Sequence, residues 1–455
     1  MTRNRPALLI ALLLCLGTLV AVSPASPASA AGSLPGSPSD RAVVAAIDRV
    51  AHPLRTTEPY GDTADLRPLD KMIGDAKVVG LGEATHSSRE FFTMKHRVLR
   101  HLVERKGFRT FGLEASWSTG LRLNDYVLHG KGDPRRIMRD EFQDTYLWWN
   151  NTEYLELIEW MRGYNRLHPR DPLRFMGDDF AYAGPELYGL VTGYVAKTRP
   201  ELLARFTELY RGLPPTTSAD AYMKRYLTLP LAEREEMAAR TGRALELLRR
   251  QPAGTGAQKE AYAWAVRHAT AIDQTARGYA FDFEDQERLA AAMRYRDGLM
   301  ADNVAWWQRQ TGDKVLLSAH NAHVSYVTSD PLNYPKMQGA FLRDLLGADY
   351  VSVGFTFDRG SFNATAPDGP IRVFTVGPAG AGSNEALLDR VRHRDYFLDI
   401  RTAPAVARSW LDTARPTRSI GTAYPEPERA VPLARSHDIL FHLHRVGAAE
   451  LRVTP

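Results

Sequence analysis

The 455-residue chain has one cysteine, Cys15, set in the apolar run Ala7 to Val22. Arg3 and Arg5 precede that run and Ala28-Ser29-Ala30 follows it. A basic start, an apolar stretch and small residues at a cleavage point predict a signal peptide over residues 1–30. Leu12-Leu13-Leu14 before Cys15 lacks the small residue of a lipid-attachment site, so simple cleavage is favoured over lipid anchoring. The mature chain would then have no thiol, which excludes disulfides and cysteine-based metal or catalytic chemistry. No later run reaches the ~18 apolar residues of a membrane span, so a secreted protein without membrane association is expected.

A large excess of one charge sign is also lacking. The formal charge is +5, and loss of Arg3 and Arg5 leaves +3. No block of five or six like charges occurs, so neither a nucleic-acid nor a membrane-surface partner is implied. The chain has no Gly-x-Ser-x-Gly elbow, which argues against a serine-nucleophile α/β-hydrolase. It has no phosphate-binding Gly-x-x-x-x-Gly-Lys-[Ser/Thr] loop. Gly80-Leu81-Gly82 starts like a dinucleotide fingerprint, but Thr85 stands at the third glycine position and Glu83 would repel a pyrophosphate.

What is present is a set of apolar runs that end on acids or imidazoles. Val78-Val79-Gly80-Leu81 leads to Glu83 and His86, and Phe111-Gly112-Leu113 leads to Glu114. Phe175-Met176-Gly177 ends on Asp178-Asp179, and Val315 to Ala319 ends on His320 and His323. Residues 70–180 alternate such runs with amphipathic stretches, the signature of βαβ units. Parallel strands would gather these polar ends along one sheet edge, where open α/β sheets bind ligands.

Residues 31–69 read as a leader and an N-terminal helix, and 70–455 as one α/β domain with a mostly parallel central sheet flanked by helices. Within it, 185–312 lacks strand-like runs and is expected to be a helical insertion forming one wall of the cleft. Its helical stretches run near 186–211, 218–251, 257–278 and 284–310. Ser87-Ser88-Arg89-Glu90 fits a capping box opening a helix that continues through Val103.

The candidate chemistry follows from these residue types. A neutral His86 beside Glu83 or Glu114 can take a proton from water, the carboxylate holding the other ring nitrogen. His320 and His323 can converge on an oxyanion or a metal. Trp117 either walls the Glu114 carboxylate and raises its pKa or, as such a tryptophan more often does, packs in the core. Lys95 is a cation one helical turn beyond Phe91, and Arg296-Asp297 has the pattern of a surface ion pair. Tyr146, Trp148, Trp149 and Tyr154 either line an apolar cleft or pack the insertion onto the sheet.

Gly82-Glu83-Ala84-Thr85-His86, Arg89-Glu90-Phe91-Phe92, Lys95-His96-Arg97 and Gly107-Phe108 together resemble the erythromycin esterase family, which includes succinoglycan-biosynthesis-protein-like members. Glu114, Gly177-Asp178-Asp179, Arg296-Asp297 with Met300, and His320-Asn321-Ala322-His323 extend the resemblance over roughly residues 70–360. The resemblance implies that water activated by His86 attacks an ester or lactone carbonyl without a covalent intermediate. It implies that Glu83 and Glu114 orient the base or handle protons, and that His320 and His323 polarise or position the substrate. Asp179 matches the family aspartate better than Asp178, and Lys95 falls where members often carry arginine. Lys95, Asp179, Arg296 and Trp117 are the expected substrate-side residues, and a small-molecule ester or lactone is the expected partner. No cofactor is required by this reading. Two alternatives stay open: a divalent-metal hydrolase using Glu83, His86, Glu114, His320 and His323, and a secreted binding module without turnover.

Overall fold

The computed structural model describes residues 39–452, so the expected signal peptide and the expected leader up to residue 38 lie outside it. The strands are β1 (His52–Pro53), β2 (Val78–Leu81), β3 (Phe108–Ser116), β4 (Arg174–Asp179), β5 (Lys314–Ser318) and β6 (Tyr350–Thr365), followed by β7 (Ile371–Val376), β8 (Tyr396–Asp399), β9 (Arg415–Thr417), β10 (Arg429–Val431) and β11 (Ile439–Val446). Nine of them form one sheet in the order β1-β8-β11-β6-β2-β5-β3-β4, with β7 paired to β6; β9 and β10 make a separate ribbon. Pairings from β11 through β4 are parallel, while β8, β1 and β7 join antiparallel. Every residue of β2 is buried. A strand covered on both faces can be apolar throughout, which is why it reads as a run rather than an alternation.

The helix Arg89–Lys106 carries the chain from β2 to β3 and buries Phe91, Phe92, Met94, Val98, Leu99, Leu102 and Val103. It stops at Gly107, whose φ of 71° is the left-handed conformation that ends helices cheaply only in glycine. The expected capping box does not form. Ser88 is the N-cap but makes no side-chain cap bond, and Glu90 accepts instead from the Gly447 N–H at 2.6 Å. The tail after β11 thus competes successfully for the glutamate.

Between β4 and β5 the chain is helical: Pro185–Thr198, Leu203–Leu209, Ala219–Thr228, Leu231–Arg249, Ala257–Tyr279 and Gln286–Thr311. Two of the expected longer helices are each broken, at Arg199-Pro200 and at Leu229-Pro230. Proline removes an N–H and pushes the preceding residue out of the helical region. The last helix, Gln286–Thr311, starts on Asp285, whose side chain accepts the Arg288 N–H, and lies beside β4.

The helix Trp117–His129 sits almost directly on β4. A Cβ at Gly120 would lie 2.0 Å from the Gly177 nitrogen, and one at Gly177 would lie 2.2 Å from the Ser116 carbonyl oxygen. Glycine at both positions lets two backbones touch, and this closeness fixes how β3 delivers Glu114 to the sheet edge. Gly120→Ala should therefore lower stability by at least about 1–3 kcal/mol, the usual cost of overpacking, measured by urea unfolding.

Candidate functional site

At the carboxyl end of β2 the chain turns through Glu83 to His86 before entering the helix Arg89–Lys106. Gly82 is required there, because a Cβ would fall 2.2 Å from the Asn321 side-chain oxygen. Asn321 pins the turn to its neighbours: its N–H donates to the Glu83 carbonyl at 2.9 Å, and its side-chain amide exchanges bonds with the Phe355 backbone. His86 Nδ1 lies 2.9 Å from Glu83 Oε1. A carboxylate only accepts, so the shared proton sits on Nδ1 and the Nε2 lone pair stays free. The other Glu83 oxygen accepts from Lys95 Nζ, which also donates to Ser318 Oγ (2.8 Å) and the Ala319 carbonyl (3.3 Å). Lys95 is wholly buried; burial pushes its ammonium pKa down while Glu83 pulls it back up.

The ends of β3 and β4 meet the helix Gln286–Thr311 through Arg296, whose exposure is 0%. Its guanidinium grips Asp179 through Nε (3.1 and 3.2 Å) and Nη2 (2.7 Å), donates to Glu114 Oε1 at 2.9 Å, and places Nη1 3.2 Å from His323 Nε2. The register between β3 and β4 shifts between Leu113 and Ser116. Such an irregularity re-aims the side chains it contains, here Glu114. Burial alone would raise the Glu114 carboxyl, but His323, Arg296 and His86 hold it well below the usual carboxylate range. Asp297, next in sequence to Arg296, accepts from His323 Nδ1 at 2.8 Å and from the Gln338 N–H at 2.7 Å. Burial would lower His323, but Asp297 and Glu114 outweigh both it and Arg296, so its pKa is raised.

His320 ends the constellation. Its N–H donates to Glu114 Oε2 at 3.1 Å, and its Nδ1 accepts the Ala322 N–H at 3.2 Å. The ring proton is therefore on Nε2, which is buried and faces the Ile420 backbone without closing a well-formed hydrogen bond. Burial, reinforced by His86, drives the His320 pKa well below that of a free imidazole, so it remains a neutral N–H donor. The His86 and His320 ring centres are 4.9 Å apart. A free base and an unpaired donor thus stand side by side.

Glu83, His86, Glu114, Asp179, Arg296, His320, His323 and Lys95 all meet at this edge. Trp117 does not. It opens the helix beyond the irregularity and packs with Trp306, Trp307 and His268, so the expected wall raising the Glu114 pKa is wrong in both residue and direction. Trp149 takes that place: its Nε1 donates to the Glu114 carbonyl at 2.7 Å and its ring meets His86 edge-on at 5.2 Å. Tyr154 also belongs to the site, its hydroxyl 2.7 Å from Ser318 Oγ. Arg296 and Asp297 are not a surface pair but two buried, separately engaged charges.

A divalent ion does not fit this donor set. Both oxygens of Glu83, Asp179 and Glu114 are already taken by Lys95, Arg296, His86 or a backbone N–H. Among the described residues the group of potential ligands close enough to share an ion is elsewhere, at Asp358, Asp389 and His444. There Arg359 already bonds Asp358 at 2.7 Å and approaches Asp389 at 3.9 Å.

Asp178 and Asp179 are neighbours with different partners. Asp178 is buried, with one oxygen accepting from Gln338 (2.7 Å) and the other unpartnered. Burial, then Asp179, pushes its pKa well above the usual range. A raised folded pKa gives stability below the unfolded value that is lost as pH rises through the folded one. Asp178→Asn should thus be no less stable than wild type at pH 7–8 and gain relative to it as pH rises. Asp179→Asn should lose about 3–5 kcal/mol by leaving the buried Arg296 with Glu114 as its one carboxylate partner. Chemical denaturation from pH 5 to 9 checks both.

The chain is similar to several known proteins. A protein from Escherichia coli named erythromycin esterase type II is 27% identical over 435 residues, covering 88% of this chain and 96% of its own. A solved succinoglycan biosynthesis protein superposes with a TM-score of 0.80 at 32% identity, covering 91% of this chain and 99% of the other. A mutant of the erythromycin esterase EreC, solved in its open conformation, shares the fold with a TM-score of 0.67 at 19% identity, over 88% and 98% of the two chains. The family model described as erythromycin esterase matches residues 103–446, and the chain belongs to that family.

Proposed function

We propose that this protein hydrolyses a carboxylic ester or macrolide-like lactone in a small molecule, using water activated by His86 and no covalent intermediate. The observation that carries the reading is the paired state of the two imidazoles. Glu83 holds His86 by Nδ1 and leaves Nε2 able to take a proton, while His320 offers an unpartnered Nε2–H a ring's width away. Water placed at His86 Nε2 would lose its proton as it attacks the carbonyl. The developing oxyanion would be met by the His320 N–H, a preformed donor in a buried site. Glu83 would stabilise the imidazolium as it forms, its own charge balanced by Lys95. Arg296 and Asp179 would act behind Glu114 and His323, holding them in place. Hydrolase activity follows from membership of the family; the lactone is proposed from the relative's name and from this arrangement.

The residues 1–30 support export, so we place the reaction outside the cell. Mass spectrometry of the secreted protein should find a mature N-terminus at residue 31; an intact Met1 in the culture medium would contradict it.

His86→Ala should lower hydrolysis by about 10²–10⁴-fold, the usual worth of a general base, with an unchanged unfolding midpoint. Reaction of the wild type with a panel of macrolides and simple esters in H₂¹⁸O should put one label in the product acid. Label-free product, or normal rates in the variant, would rule out the assigned base.

A further inference from the structure

Hydrolysis of an alkyl ester or lactone also needs a proton for the departing alkoxide. At the strand ends the His86 imidazolium holds the proton taken from water and the His323 pKa is raised, but the carboxyl groups there are engaged. Glu83 and Glu114 spend both carboxylate oxygens on existing partners, Asp178 lies against Gln338, and His320 Nε2–H faces the place of the oxyanion.

A segment from another part of the chain reaches the same turn. After β9 the chain runs from Arg418 to Glu428 across the residues that bear Glu83 and His86. The Ile420 N–H donates to the Ala84 carbonyl at 2.8 Å, and Thr85 and Ile420 form a parallel bridge. On its far side the segment is tied to β6: the Thr365 N–H donates to the Thr422 carbonyl (2.8 Å) and the Tyr424 N–H to the Thr365 carbonyl (3.1 Å). Arg429, just beyond, pairs with Asp330 at 3.2 Å. Within this frame Glu426 Oε1 is buried and has no hydrogen-bond partner. The charged groups acting on its carboxyl are Arg429 and His86. A buried Oε1 left unpartnered, on a carboxyl that feels the charge of the His86 imidazole, has no structural bond to explain it.

We infer that Glu426 is the general acid of the reaction, donating its proton to the leaving alkoxide oxygen; this rests on the hydrolytic reading above. In the first step water adds to the carbonyl carbon and its proton passes to His86 Nε2. In the second the carbon–oxygen bond breaks, the electron pair leaves on the alkoxide oxygen, and the Glu426 proton joins it to give the alcohol. The imidazolium then returns its proton toward the Glu426 carboxylate, and the new acid ionises to solvent. Burial, opposed by Arg429 and His86, pushes the Glu426 pKa up to about 7, so a fraction carries the proton near neutral pH.

The test compares wild type with Glu426→Gln on two esters of one acid, a nitrophenyl ester and a primary alkyl ester. A nitrophenolate leaves unaided, whereas an alkoxide needs the proton. The loss in kcat on the alkyl ester should exceed that on the nitrophenyl ester by about tenfold or more, and the descending limb of the alkyl pH–rate profile should disappear. Equal effects on both esters, or an unchanged limb, would overturn the assignment.

A second readout needs no turnover. Carboxyl ¹³C NMR of glutamate-labelled protein should show a resonance titrating near neutrality that vanishes in Glu426→Gln. Glu385, pushed up to about 8 by burial, is told apart by Glu385→Gln. If the resonance lost in Glu426→Gln titrates below pH 5, the acid is misassigned even where hydrolysis is confirmed. If it titrates near 7 and the wild type hydrolyses neither ester nor any macrolide, the hydrolytic reading fails and the role falls with it.

Discussion

Arg296 ties together four segments that are far apart in sequence: β4 through Asp179, β3 through Glu114, the turn after β5 through His323, and the inserted helix on which it sits. A guanidinium suits this position because its planar fork can satisfy two carboxylates and face an imidazole at once. Lys95 does the corresponding work on the other side, where a single point charge suffices for Glu83. Breaking a buried pair by removing one partner costs about 3–5 kcal/mol, against a total stability of roughly 5–15 kcal/mol for a folded domain. Well-packed apolar residues would often serve stability as well. A polar network this costly is better explained by what it holds in place, namely two imidazoles in defined and opposite tautomers.

The sheet edge was legible in the sequence because parallel strands buried on both faces are written as short apolar runs. Where such a run stops, the next polar residue falls at the strand's carboxyl end, and so Glu83, His86, Glu114, Asp179, His320 and His323 could be gathered before any coordinates. The cations could not be placed this way. Lys95 and Arg296 lie on helices whose composition looks solvated, and their burial follows from carboxylates contributed by strands 12 to 182 positions away. Trp117 was misplaced because the irregularity after Leu113 turns the chain before that residue, leaving Trp149 against His86 and Glu114. Ser87 and Glu90 match a capping box in spacing, but a distant backbone N–H at Gly447 holds the glutamate. Glu426 had no signal at all: it sits in a Pro-rich segment without periodicity, and its meaning depends on where that segment crosses the β2 turn.

Proteins named for erythromycin hydrolysis and for succinoglycan biosynthesis share this fold with the chain. A fold that hosts different names assigns chemistry only through its site. In this chain the site is tightly enclosed, with His86 and Glu114 each 4% exposed. Enclosure strengthens every charge and hydrogen bond within it. Chemistry and packing therefore depend on the same few contacts.

The central claim is that Glu83 fixes His86 as the tautomer with hydrogen on Nδ1. Long-range ¹H–¹⁵N correlation on histidine-labelled protein reads that tautomer directly, with His86 assigned by its absence in a His86 variant. Neutral His86 should show a pyrrole-type Nδ1 and a pyridine-type Nε2, and Glu83→Gln should scramble the pattern. A pyridine-type Nδ1 in the wild type would mean that the base points the wrong way, and the account would fail.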